Sequence, residues 1–252
     1  MYRSLRISAF GFLALCAGTG LASASTVFTD GTFPAANYSQ AFLYNQEPGV
    51  NTATFGQCAT CGDPGQALQI TFSEPTDGGT SGTTALFLGI TNSAFSYNPT
   101  TQGAVTSIAV SVDKNFTADT NNTYGNAFRL LIEQDGNFYA DVIVGTPLVG
   151  AGTTGFETFS GTGLTAADFA LIDTATGTTN TASNPNFSGD PIQFGIGQVL
   201  GAVGIAGNDP TVTYAYDNLN ITVDTAVPEP ASLVLLGSGL LGLGAIRRRR
   251  RV

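Results

Sequence analysis

The chain has no histidine and no tryptophan, and only nine basic side chains among its 252 residues. Without histidine there is no Ser-His-Asp or Cys-His arrangement for nucleophilic catalysis. Three cysteines and no histidine also leave the exported part of the chain short of the four side-chain ligands of a structural zinc site. Basic residues are scarcer in the middle than the total suggests. Arg3 and Arg6 lie at the start and Arg247, Arg248, Arg249, Arg250 and Arg251 at the end, so only Lys114 and Arg129 remain between them. Residues 25–227 hold seventeen acidic side chains against those two, a net charge of −15. Nucleic acid is excluded as a partner, because phosphate neutralisation needs a patch of Lys and Arg. No long amphipathic helix and no repeat of fixed period is present.

What is present first is a pair of terminal addresses. MYRSLR is a short basic start, ISAFGFLALCAGTGL an apolar run, and Ala22 and Ala24 stand at the −3 and −1 positions before Ser25. These three parts make a secretory signal peptide over residues 1–24, with cleavage expected after Ala24. Cys16 follows Leu15, where a lipoprotein signal wants a small residue, so it reads as part of the apolar run.

At the other end, Ala231 to Ile246 carries no charge. A helix over those residues is about 24 Å long, short of a ~30 Å hydrocarbon core. Flanking arginines can snorkel to make up part of the difference. The five arginines are expected to stay cytoplasmic, which puts residues 25–227 on the outer side. Pro228-Glu229-Pro230 precedes the apolar run, and each proline holds its predecessor extended, in a form that proteases bind.

VPEP, a short apolar helix and an arginine cluster, in that order, resemble the PEP-CTERM sorting signal of Gram-negative bacteria. The resemblance implies recognition of residues 228–252 by the membrane enzyme exosortase. It also implies a transient stay in the inner membrane and delivery to the cell surface or an exopolysaccharide matrix.

The body between the addresses is rich in Gly, Thr, Asn and Ser, with short apolar or alternating runs. ALQITF at 67–72, TALFLGI at 84–90, AVTSIAVSV at 104–112 and TVTYAYDNLNITV at 211–223 read as strands. AFRLLIEQDGNFYADVIV at 127–144 reads as a hairpin turning at Asp135-Gly136. One short helix is expected where Thr165 caps and Asp168 follows three residues on. The stretch 173–191 is expected to be irregular. Residues 25–227 are therefore expected to form an all-β, two-sheet antiparallel sandwich of the jelly-roll kind, with signal and anchor helices outside it. YDNLNITV, with NFSGDPIQFGIG before it, also resembles the closing strands of secreted sandwich domains. Those in turn resemble lectin-like and carbohydrate-binding modules.

Candidate sites follow from residue type. Cys58 and Cys61 form CATC, and in an oxidising compartment a disulfide is the expected state. Calcium, which takes several oxygen ligands, is a possible structural cofactor; Asp30, Asp217 and Asn218 would meet if the terminal strands pair. Glu133 and Asp135 are the nearest approach to a carboxylate pair, and they flank a hairpin turn, so no catalytic residue is assigned. The expected function is a non-enzymatic structural or adhesive protein of the envelope or matrix. The alternative is a carbohydrate-binding module for exopolysaccharide, and less favoured still a glycoside-active enzyme.

Overall fold

The computed structural model describes residues 23–46, 51–73, 83–118, 123–142, 148–149, 155–203 and 211–226. The strands are β1 (Ser23–Asp30), β2 (Tyr38–Asn45), β3 (Thr52–Gly62), β4 (Gly65–Ser73), β5 (Thr83–Tyr97), β6 (Val105–Ala118) and β7 (Thr123–Gln134), followed by β8 (Asn137–Asp141), β9 (Leu148–Val149), β10 (Glu157–Leu164), β11 (Phe169–Ile172), β12 (Thr179–Asn180), β13 (Ile192–Val203) and β14 (Thr211–Ala226). One four-residue helix, α1 (Pro99–Gln102), joins β5 to β6 behind an Asn98 cap. The first sheet runs β10-β6-β14-β4-β3, with β1 also on β14; the second runs β12-β11-β8-β7-β13-β5-β2, with β9 on β7. Every pairing is antiparallel. This is the expected two-sheet sandwich.

Alternation builds it. In β6, Ile108, Val110, Val112 and Phe116 are buried, while Asp113 and Asn115 lie on the other face. In β14, the side chains buried in the core are Val212, Tyr214 and Tyr216, then Leu219, Ile221 and Val223. The parity changes because the register with β6 shifts between Asp217 and Asn220, and Asn218 takes φ 51°. One extra residue in the strand moves every later side chain to the opposite face. The two sheets close over one core containing Phe72, Ile90, Phe128, Phe194 and Ile221. A second cluster, Phe42, Phe87, Leu131, Ala140 and Ile172, packs on the outer face of the second sheet. Phe42 sits there against Gly89, where a Cβ would overlap its ring.

The expected strands all occur, and β5, β6 and β14 run further than their apolar cores suggested. Asp135 (φ 51°) and Gly136 (φ 72°) make the β7–β8 turn, the positive-φ pair of a type I′ hairpin. Thr165 and Asp168 form the expected capping box, but over a 3-10 turn at Ala166–Asp168 rather than an α-helix. The stretch 173–191 holds only the two-residue β12. The expected signal and anchor helices lie outside the described residues. Among the described residues no helix is long and apolar enough to cross a membrane.

Candidate functional site

The residues singled out in the sequence gather where β14 changes neighbours. Along one edge, β4 pairs with Thr211–Tyr216 and β1 with Leu219–Ala226. Asp217 and Asn218 occupy the gap between them. The Asp217 carboxylate holds the β3–β4 hairpin tip: its Oδ2 accepts from the Asp63 N–H at 2.8 Å, and its Oδ1 from the Asn218 N–H at 2.7 Å. Asn218 Nδ2 donates to Asp113 Oδ2 at 2.9 Å. Gly62 allows this approach, since a Cβ there would overlap the Gln66 carbonyl oxygen.

Asp30 lies opposite Leu219 in the register, so the structure does bring it close to Asp217 and Asn218 along the chain path. Its carboxylate is used locally. Oδ1 accepts from the N–H of Thr32 (2.8 Å) and of Phe33 (2.7 Å), and Oδ2 accepts from the Tyr38 hydroxyl (3.0 Å). That last contact helps keep the Tyr38 hydroxyl protonated: burial first, then the Asp30 charge, push its pKa far above the usual phenol range. Asp217 and Asn218 turn side-chain oxygens toward one point, beside Gly31, where a Cβ would sit 3.7 and 3.5 Å from them. No group of three or more acidic, cysteine or histidine side chains placed to hold a metal occurs among the described residues.

Cys58 and Cys61 are joined in a disulfide, with their Cα atoms 5.6 Å apart. It ties the end of β3, where the register with β4 shifts between Cys58 and Gly62. Gln69 Nε2 donates to Cys61 Sγ at 3.6 Å. Beside this hairpin, on the outer face of the first sheet, lies a groove of about 440 Å³. Its floor is a cross-strand row, Gln69 on β4, Ala215 on β14 and Asn115 on β6. One wall is the hairpin from Thr60 to Asp63, the other Gly155 and Phe156.

A smaller cavity of about 210 Å³ opens at the second sheet, lined by Tyr44, Phe87, Val199 and Arg129 among others. The body's other basic residue faces inward. Lys114 is 1% exposed between the sheets. Its Nζ donates to Asn126 Oδ1, and it lies 4.8 Å from the centroid of the Tyr214 ring and 5.7 Å from those of Tyr216 and Phe159. Burial pushes its pKa down to about 7. Val110, Val112, Lys114 and Phe116 share one parity, and that alternation is the feature of the sequence that turns Lys114 inward. Asp135 is exposed at its turn and Glu133 half-buried in β7, and neither lines the groove or the smaller cavity.

The two ends of the described chain lie together. Ser23 pairs with Ala226 and Ala24 with Thr225, and the Thr225 hydroxyl donates to the Ala24 carbonyl at 3.1 Å. β1 thus begins two residues before the expected cleavage point, and Ser25–Asp30 remain paired beyond it. Ala22, Pro228, Glu229, Pro230 and Arg247 to Arg251 lie outside the described residues.

No curated protein matches the chain in sequence. Among solved structures, the chain is similar to the family 11 carbohydrate-binding module of Clostridium thermocellum, solved with a β-1,3-1,4-mixed-linked tetrasaccharide (TM-score 0.36, 10% identity, covering 78% of this chain and 94% of that one). It is also similar to a module described for specific mannan recognition (TM-score 0.34, 9% identity, 79% and 98% covered). A third is the C-terminal family 22 module of Clostridium thermocellum Xyn10B (TM-score 0.32, 14% identity, 77% and 100% covered). Likeness at this level assigns neither ligand nor activity. The C-terminus is assigned directly: residues 226–251 match the PEP-CTERM protein-sorting motif, so the chain carries this sorting segment immediately behind its closing strand.

Proposed function

We propose that the protein is an exported, non-enzymatic β-sandwich that serves a structural or adhesive role at the cell surface or in the extracellular matrix. It reaches that place through exosortase. The observation that carries the reading is the position of the sorting motif, whose match starts at residue 226, the last residue of β14. Residues 1–24 act as the export signal, 25–227 as the cargo, and 228–252 as the sorting and anchor segment. The chemistry of the body supports a non-catalytic role. It has no histidine, and the carboxylates of Asp30 and Asp217 hold backbone N–H groups in turns. The test is fractionation of tagged protein in a host with and without exosortase. Loss of the tail only in the host that has the enzyme is expected. Equal retention of the tail in both hosts overturns the reading.

A second reading, binding of matrix polysaccharide by the same exported body, is favoured by the groove beside the disulfide hairpin. Its floor and walls present amides and hydroxyls on a surface that is otherwise short of cations. Incubation with polysaccharides is expected to release no new reducing ends, which separates binding from hydrolysis.

A further inference from the structure

We infer that the groove on the outer face of the first sheet is a binding site for a neutral glycan, with Gln69 and Asn115 supplying the hydrogen bonds and Phe156 the stacking surface. The inference rests on the second reading above and gives it a place and a ligand class.

The floor is built by strand register. Ala215 is the direct neighbour of Gln69 on one side and of Asn115 on the other. Strands lie about 4.8 Å apart, so the two amide-bearing backbones stand about 10 Å apart with only a methyl group between them. That leaves a trough with a planar amide on each bank. A primary amide carries two donor hydrogens and an oxygen with two lone pairs, more than a single protein contact such as Gln69–Cys61 occupies, as a polyol with mixed hydroxyl groups requires. The next row continues the polar surface, with Thr213 and Thr71 hydroxyls 3.4 Å apart. Phe156 is half-buried in one wall. An aromatic ring there offers its face to the C–H side of a sugar ring, an apolar patch that neither amide can satisfy. The disulfide stiffens the opposite wall, and Gln69 is steadied by its contact with Cys61. The volume, about 440 Å³, falls within the usual range of ligand pockets.

Charge selects the class. Among the described residues no Lys or Arg lines the groove, and Asp63 is its one ionisable lining residue apart from the disulfide-bonded Cys61. The body's two cations are elsewhere: Lys114 is sealed between the sheets and Arg129 lines the cavity at the second sheet. A body of net charge −15 repels polyanions, so acidic polysaccharide is disfavoured. A largely polar floor disfavours an apolar ligand. An uncharged, hydroxyl-rich chain fits both conditions.

The test is affinity electrophoresis of full-length protein in detergent, through gels holding glucan, mannan, galactan or alginate. Retardation by at least one neutral polymer and none by alginate is expected. The double variant Gln69→Ala/Asn115→Ala and, separately, Phe156→Ala should each weaken retardation at least tenfold, with circular dichroism unchanged. Tyr44→Ala, at the second sheet, should run as wild type. If a neutral polymer retards the groove variants as strongly as wild type and Tyr44→Ala abolishes the effect, the groove assignment falls while polysaccharide binding stands. Retardation by alginate alone overturns the ligand class. Retardation by none of the four overturns the inference together with the reading beneath it.

Discussion

Lys114 of the first sheet and Asn126 of the second meet inside the sandwich, joined by a hydrogen bond from the ammonium to the amide oxygen. Three aromatic rings surround the same nitrogen, and Lys114 is buried. A buried ammonium with no carboxylate partner among the described residues is costly to keep charged.

The cost has a pH signature. Burial lowers the Lys114 pKa from 10.5 to about 7. Between those values the unfolded chain holds a proton that the folded chain has released. Stability therefore rises with pH across that window, and the penalty is complete below its lower edge. Melting temperature is expected to climb from pH 7 to pH 9. Tyr38 and Tyr216, whose pKa values burial raises, stay protonated over that range. Lys114→Met, which keeps the volume, should flatten the climb and stabilise the protein at pH 7 by roughly 2–4 kcal/mol. A wild-type profile that is level or falling over this interval defeats the prediction.

Asp217 should matter for stability through its two backbone N–H partners. Asp217→Ala leaves the Asp63 and Asn218 amides without that acceptor and is expected to cost about 1–3 kcal/mol. Because Asp30 is occupied in its own turn, chelation by EGTA should leave the melting temperature of the wild type unchanged. A drop of several degrees on chelation, restored by added calcium, would show that the junction is held by a cation instead.

Cys58 and Cys61 should yield no titratable thiol in denatured, unreduced protein recovered from the exported fraction. Replacing both by serine is expected to cost roughly 2 kcal/mol, the entropy of so small a loop. Two reactive thiols in that sample contradict the disulfide.

The tail should separate into parts with different tasks. Glu229→Ala leaves hydrophobicity and the arginine layout almost intact, so membrane insertion should survive and processing fail. Deleting Arg247 to Arg251 should instead remove the stop, since carrying those charges across hydrocarbon is what prevents passage. Pulse-labelled fractions distinguish the two; a Glu229→Ala protein processed at the wild-type rate counts against a role for the motif.

Local pattern made much of the sandwich legible. Asp135-Gly136 and Thr165 with Asp168 signal their own turns, because the residues that shape them are adjacent. β13 is legible only in part: PIQFGIG resembles a closing strand, yet Gly195, Gly197 and Gly201 obscure its alternation, since glycine weakens a strand in isolation. In the fold, a Cβ on Gly195 would overlap the Ile90 carbonyl, so the neighbouring strand explains the residue. Lys114 follows the inward parity of Val110 and Phe116, yet an ammonium is ordinarily assigned to solvent. The groove was not legible at all. Its floor takes Gln69, Asn115 and Ala215 from three strands far apart in sequence, and only the register places them in a row.

The pairing of β14 also has a mechanical consequence. Sixteen residues long, the strand is bonded to β6 on one edge and to β4 and β1 in turn on the other. A load between the C-terminal tail and the far half of the first sheet runs along the strand axis, at right angles to those bonds. They then resist in shear, sharing the force. A load between the two termini of the processed chain would instead open the β1–β14 pair from its Ser25–Asp224 rung, one pair at a time. A sandwich tethered only by its C-terminal end is pulled in the first of these geometries, the one in which rupture requires many bonds to fail together.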